Sequence, residues 1–400
     1  MTVLRMSTAG LYNQGLQGLL QQQQRLARVQ QELVGQNKLL RGADNPSGMA
    51  RAQQMDHLLA SLQQQDRNAT LVEHRLRSQE NALADVGTQL DRARQLAVQA
   101  NSPALSDSDR ASIAAELRAV RDELLAIANR DDGNGRRLFA GTRDGVIPFA
   151  DNGGVVSYAG DDGRNSLEIS PDHWVVDGEP GSEVFLRVRT GDGIVRGSAA
   201  AGNTGTGVLQ SSGVVDHAAW TGQSLRVEFT AADAWRVLDG DGNELATGSY
   251  TEGATITAGG MQLKISGAPA AGDSFRVEPA PVRDVFATLQ GLADALEAPA
   301  ADPAARAWRA NQVGAALGDL ATAQDHMLSL RAATGSRLSA LDNAADARSA
   351  TDLTLQESLS ELRDVDVAEA STRLALHLAA IEAAQKTMLR VQGLSLFDRM

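Results

Sequence analysis

The sequence predicts an α+β protein of elongated form, in which N- and C-terminal helices pair as a coiled-coil or helical rod around an inserted antiparallel β domain. Near the front, Leu19, Leu26, Leu33 and Leu40 recur every seven residues, with Val29 between two of them. Near the back, Leu374, Leu378, Ile381, Gln385 and Met388 step by four, three, four and three. Both stripes have the narrow apolar seam of a coiled coil rather than the broad face of a globular helix. The middle, 133–282, holds 26 of the 38 glycines and 10 of the 14 aromatic residues, and its hydrophobic period falls from about 3.6 to 2. End helices with matching seams can fold back on each other across such an insertion, and any stripe left over is then buried between subunits.

The elements follow in order. The first seam stops near Leu40 at the string RGADNPSG, because Pro46 restricts Asn45 and the glycines loosen the backbone. A second helix is predicted from about Ser47. Its stripe runs through Leu62, Ala69, Leu76, Leu83, Leu90 and Ala97, with Leu58, Val72, Val86, Ala93 and Ala100 interleaved. Ser102-Pro103 ends it. Ser106 followed by Asp109 forms a capping-box pattern that opens a third helix with Ile113, Leu117, Val120, Leu124 and Ile127. The segments 184–191, 224–231, 235–245 and 261–267 alternate apolar with polar residues and stop at Gly or Asp-Gly, which predicts strands. Helices return from Val285 to Glu297 and again from Pro303, the latter with Val313, Leu317, Leu320, Met327, Leu338, Leu341, Leu355, Leu359 and Leu362 on one stripe.

Composition narrows the function. With 400 residues, 42% apolar and 22% charged, the chain is an ordinary folded protein of two or more domains. The net charge of −13 argues against nucleic acid or an anionic membrane as the main partner. No cysteine is present, so disulfides and thiol chemistry are excluded. The first twenty residues carry one Arg and no continuous apolar core, so a cleaved signal peptide is not expected, and no run of eighteen apolar residues predicts a membrane span. Composition alone reads as cytoplasmic.

Chemical motifs are weak. His57, His74, His173, His217, His326 and His377 are scattered without metal-ligand spacing. Asp239, Asp241 and Asn243 imitate the start of a calcium loop, but Glu244 and Tyr250 stand where Gly and Glu are needed, so a hairpin turn is the better reading. Gly202, Gly205 and Gly207 lack the context of a phosphate cradle. The run Gln21 to Gln24 reads as a solvated or subunit-facing helix surface. No carboxylate pair can be assigned to a shared cleft, so no catalytic residue, cofactor or metal is expected. A helical-scaffold enzyme with its site in the β domain rests only on Asp-rich loops.

Several strings resemble the bacterial flagellin superfamily, and within it the hook–filament junction branch. These are RGADNPSGMARA at 41–52, NGRRLFAGT at 134–142, VSYAGDDGRNSLEIS at 156–170, PGSEVF at 180–185, RDVDVAEASTRLAL at 363–376 and the tail VQGLSLFDRM. The resemblance implies three domains: a terminal coiled-coil assembly domain (1–43 and 364–400), a helical rod (44–140 and 283–363) and an inserted β domain (141–282). It implies hinges at Asn45, Pro46 and Gly48 and at Asp366, Ala368 and Glu369. The assembly interface would comprise Leu19, Leu26, Leu33, Leu40, Leu374, Leu378, Ile381 and Met388, with Leu394, Leu396 and Phe397 as tail contacts. Implied partners are further copies in a homo-oligomeric ring, the first hook-associated protein on the hook side, flagellin on the filament side and an export chaperone on the C-terminal helix. Unfolded type III export and an extracellular place in the flagellum follow. A flagellin filament subunit is the alternative.

Overall fold

The computed structural model describes residues 8–43 and 45–397. It has six α-helices, α1 (Thr8–Gly35), α2 (Pro46–Ala100), α3 (Asp107–Ala128), α4 (Val285–Glu297), α5 (Pro303–Arg363) and α6 (Val367–Phe397). All the strands lie between α3 and α4. The α+β class holds, with terminal helices flanking an inserted antiparallel β region. The chain divides into two compact units, Met1–Asp66 with Ala344–Met400, and Arg67–Asn343. Each takes in part of α2 and part of α5.

In the first unit α1 and α6 run antiparallel, as Gln22 meets His377 and Glu32 meets Arg373. The chain breaks after α1 and after α5 lie side by side. Asn37 bridges Asp364, and the Lys38 amide donates to the Arg363 carbonyl at 2.7 Å. Each following helix is started by a side-chain cap. Asn45 Oδ1 accepts the Gly48 amide at 2.9 Å, and Pro46, which has no N–H to lose, takes the first helical position. Helix α2 therefore starts one residue before the expected Ser47. Asp366 Oδ1 likewise accepts the amides of Ala368 and Glu369 at 2.9 and 3.0 Å.

Along α2 the expected stripe from Ala69 to Ala97 is buried, and Leu62 is half-buried. Leu58 is a correction, since it is exposed while Leu59 is half-buried. A strict seven-residue series drifts about 20° per heptad on a straight helix, so the series ending at Ala100 has rotated off the seam by Leu58. The heptad positions at 65 and 79 hold buried glutamines.

The helical core of the second unit joins α2, α3, α4 and the first half of α5 around Leu83, Leu90, Leu117, Leu124, Leu289 and Leu320. Ser106 and Asp109 form the expected capping box at the start of α3. Two hairpins, β1 (Phe149–Asn152) with β2 (Val155–Tyr158) and β3 (Ser166–Ser170) with β4 (His173–Val176), precede a single wide helical turn at Ser182–Leu186, closed by the Arg187 amide on the Ser182 carbonyl. That turn corrects the strand expected over 184–191. Val184 and Phe185 are consecutive and both fully buried, which a strand with alternating faces cannot achieve. Only β5 (Val188–Arg189) is extended there, and it later pairs with β14 (Val282–Arg283). Phe185 meets Phe139 and Phe149 edge-on at 5.2 and 5.4 Å and stacks on Phe286 at 5.7 Å.

The remaining strands make a two-sheet β domain. Strands β6 (Val195–Ala199), β8 (Leu225–Ala231), β9 (Ala234–Leu238), β10 (Glu244–Ser249) and β13 (Ser274–Pro279) form one antiparallel sheet in the order β10-β9-β8-β13-β6. Strands β7 (Val208–Val214), β11 (Thr255–Ala258) and β12 (Met261–Ser266) form the other, with β12 central. Their core contains Val227, Phe229, Val237, Leu263, Ile265 and Phe275. The Asp239–Asn243 segment is the turn between β9 and β10, where Asp239 accepts the amides of Asp241 and Asn243. The domain is tied to α5 by Arg196 pairing with buried Asp319 at 3.0 Å, and by Asn311, which accepts the Leu209 amide and donates to the Gly207 carbonyl.

Candidate assembly interface

The sequence points to the terminal helices as the working surface. On α1 the inward positions are Leu19, Gln22, Leu26, Val29 and Leu33; Val29 is buried and the leucines are half-buried, as is Leu40 beyond the helix end. On α6 the inward positions are Ala370, Leu374, His377, Ile381, Ala384 and Met388. The seam thus keeps the four-three rhythm but passes through His377 and Ala384, and Leu378 lies on the exposed side. His377 Nδ1 lies 3.0 Å from Gln22 Oε1, a polar pair set within an apolar stripe. The side chains of Leu394, Leu396 and Phe397 lie outside the described residues.

Sequence reasoning missed Glu32. Its carboxylate is buried in the seam, with Arg28 one turn back at 3.3 Å and Arg373 of the facing helix at 3.3 Å. Arg373 also reaches Glu369 at 3.6 Å. A buried carboxylate with a cross-helix arginine fixes the register of a pair better than interchangeable leucines do. Nothing in a seven-residue count marks it, because Glu32 sits between two seam positions, Val29 and Leu33.

Apolar residues also stay exposed on the outward sides. Leu16, Leu20 and Val34 on α1 and Leu376, Leu378 and Leu389 on α6 are exposed, as are Leu58 of α2 and Leu353 of α5 in the same unit. Two long helices with one face closed on each other and a second apolar set facing outward have the character of an assembly element. Among the described residues no group of His, Asp and Glu could hold a metal ion, and no helix is long and apolar enough to cross a membrane.

The second unit holds a different constellation, built from the distinctive strings at 134–142, 156–170 and 180–185. Asp161 Oδ1 accepts the Thr142 and Gly163 amides at 2.7 and 3.0 Å, and its Oδ2 accepts the Thr142 hydroxyl. These donors hold its carboxyl below the usual range, the Thr142 hydroxyl first. Asp162 accepts from Ser182 and Arg187. Gly181 donates to the Phe139 carbonyl at 2.9 Å, and a Cβ there would meet that oxygen at 2.6 Å. Gly141 has φ +70°, and a Cβ would lie 2.2 Å from Asp161 Oδ1. The three strings are therefore one interlocked joint at the entry to the β region. Beside it, buried Glu179 pairs with Arg337 and with Arg164 at 2.7 Å.

Comparison with known proteins agrees with this layout. Residues 6–144 match the bacterial flagellin N-terminal helical region, and residues 317–398 match the bacterial flagellin C-terminal helical region. The chain is 28% identical to flagellar hook-associated protein 3 of Escherichia coli (strain K12) over 182 residues, 46% of this chain and 57% of that protein. The chain thus spans a little over half the length of that curated relative. The crystal structure of Xanthomonas campestris FlgL is 42% identical with a TM-score of 0.72, covering 76% of this chain and 99% of that one. The flagellar junction protein FlgL from Legionella pneumophila is 25% identical with a TM-score of 0.71, covering 79% and 100%. The chain belongs to the bacterial flagellin superfamily, and within it to the family of FlgL, flagellar hook-associated protein 3.

Proposed function

We propose that this chain is a structural subunit of the bacterial flagellum that joins the hook to the flagellin filament, without catalytic activity. The observation that carries the reading is the 42% identity to Xanthomonas campestris FlgL across 76% of this chain and 99% of that one; by sequence alone, hook-associated protein 3 of Escherichia coli is matched over 46% of this chain and Bacillus subtilis (strain 168) flagellin over 26%. In this reading the outward apolar residues of α1 and α6 are buried between copies in a homo-oligomeric ring. The first hook-associated protein packs on the hook side and flagellin on the filament side. The chain leaves the cell unfolded through the flagellar export apparatus, with a chaperone covering α6 beforehand, and works outside the cell. The capped breaks at Asn45–Gly48 and Asp366–Glu369 act as hinges between the assembly helices and the rod.

Deleting the gene tests this. The expected phenotype is a completed hook with no filament and flagellin released into the medium, restored by the wild-type copy. Normal filaments in the deletion strain would overturn the reading.

A further inference from the structure

Two asparagines of the chain precede glycine, Asn134 and Asn152, and the fold treats them differently. In such a pair the main-chain nitrogen of the glycine can attack the side-chain carbonyl carbon of the asparagine, because no Cβ on the following residue blocks the approach. Asn134 and Gly135 stand at the tip of the loop that follows α3. The loop is closed by the bridge between Asp131 and Arg137 and by the Asp132 amide on the Arg136 carbonyl at 2.9 Å. Asp132 Oδ1 accepts the Asn134 and Arg136 amides at 2.9 and 3.2 Å, and the Gly135 amide between them has no hydrogen bond among the described residues. The Asn134 carboxamide is exposed and likewise makes none. Gly135 has φ +81°, and nothing lies within 4 Å of where a Cβ would stand. The attacking and the attacked group are both unengaged and both in water.

Asn152 and Gly153 open the turn between β1 and β2. Asn152 Nδ2 donates to Ser157 Oγ at 2.9 Å, Asn152 pairs with Val155 across the hairpin, and Asp151 Oδ1 accepts the Gly154 amide at 2.8 Å. Ring closure there must first release the carboxamide and open the hairpin end.

We infer that Asn134 is a site of selective self-modification in the folded chain, with water as the co-reactant. The Gly135 nitrogen gives its proton to solvent base and bonds to Asn134 Cγ, the side-chain amide leaves as ammonia, and water opens the resulting succinimide at either carbonyl. The products are aspartate or β-linked isoaspartate at 134. Each adds a negative charge beside Asp131 and Asp132. The β-linked product also lengthens the main chain within a loop that Arg75 of α2 holds, through the Arg137 carbonyl at 2.9 Å and Asp132 at 3.9 Å.

The test ages full-length wild type and Asn134→Gln in mildly alkaline buffer, with circular dichroism as the folding control. Peptide mass mapping follows the amide-to-acid change at each asparagine, and enzymatic methyl transfer counts isoaspartate. Wild type aged in urea supplies the unfolded reference. In the folded chain Asn134 should convert at least about tenfold faster than Asn152, where a hydrogen bond and the strand pairing both oppose closure. In urea the two rates should converge, and N134Q should lack the isoaspartate that wild type gains within 131–137. Equal rates at the two asparagines in the folded chain, or an Asn134 that reacts only in urea, would overturn the proposal.

Discussion

Replacing Gln79 by Ala tests how α2 holds the segment at 177–185. Gln79 is fully buried on α2; its Nε2 donates to the Glu179 carbonyl at 2.9 Å, and its Oε1 accepts the Glu179 amide at 3.0 Å. The amide is confined further by Gly178, where a Cβ would come within 3.2 Å of it. Truncation leaves one buried N–H and one buried C=O unpaired, at about 1–3 kcal/mol each. Their sum puts the expected loss at about 2–6 kcal/mol, without counting any cavity. Gln79→Glu keeps the acceptor but sets a carboxylate against the Glu179 carbonyl, so it is expected to be no better than Ala. Urea unfolding followed by circular dichroism and tryptophan fluorescence gives the difference from midpoint and slope. A Q79A variant within about 0.5 kcal/mol of wild type, the range of a surface substitution, would refute the reasoning.

Three other outcomes are expected. Burial opposes ionisation of Glu179, but Arg337 and Arg164 outweigh it and hold the carboxyl below its ordinary value of 4.5. A depressed folded value stabilises the fold above 4.5, and that contribution is lost as pH falls through the folded value. Urea midpoints of wild type should therefore fall in this acid range more steeply than those of Glu179→Gln, and parallel curves would contradict the pairing. Leu376→Asp with Leu389→Asp should leave the helical circular dichroism of the isolated chain unchanged yet abolish its ability to restore motility to a deletion strain; restored motility would count against the outward face of α6. Brief proteolysis of dilute monomer should remove roughly the first 40 and last 35 residues, because a narrow helical seam offsets little ordering entropy. Full protection of both ends in a verified monomer would contradict that weakness.

Much of the fold was legible because it obeys local rules. The Ser106–Asp109 capping box, the Val285–Glu297 helix and the Asp239–Asn243 turn each follow from a few adjacent residues whose side chains satisfy nearby backbone. What escaped depends on long-range geometry. The turn at Ser182–Leu186 replaces a strand because Val184 and Phe185 must both enter an aromatic core supplied by residues up to a hundred positions away. Leu58 lies off its seam because a seven-residue count does not follow a straight helix indefinitely, and Leu378 because the intermediate seam positions of α6 fall one residue earlier, at His377 and Ala384. At the candidate interface the leucine spacing was readable. The buried Glu32, its partner Arg373 and the Gln22–His377 contact were not, since each is defined by which residue the opposite helix presents.

The central claim concerns place. Flagella from cells carrying a labelled, functional copy of this chain, viewed by electron microscopy, should show label confined to the boundary between hook and filament. Label distributed along the filament would contradict the account and make the chain a filament subunit instead.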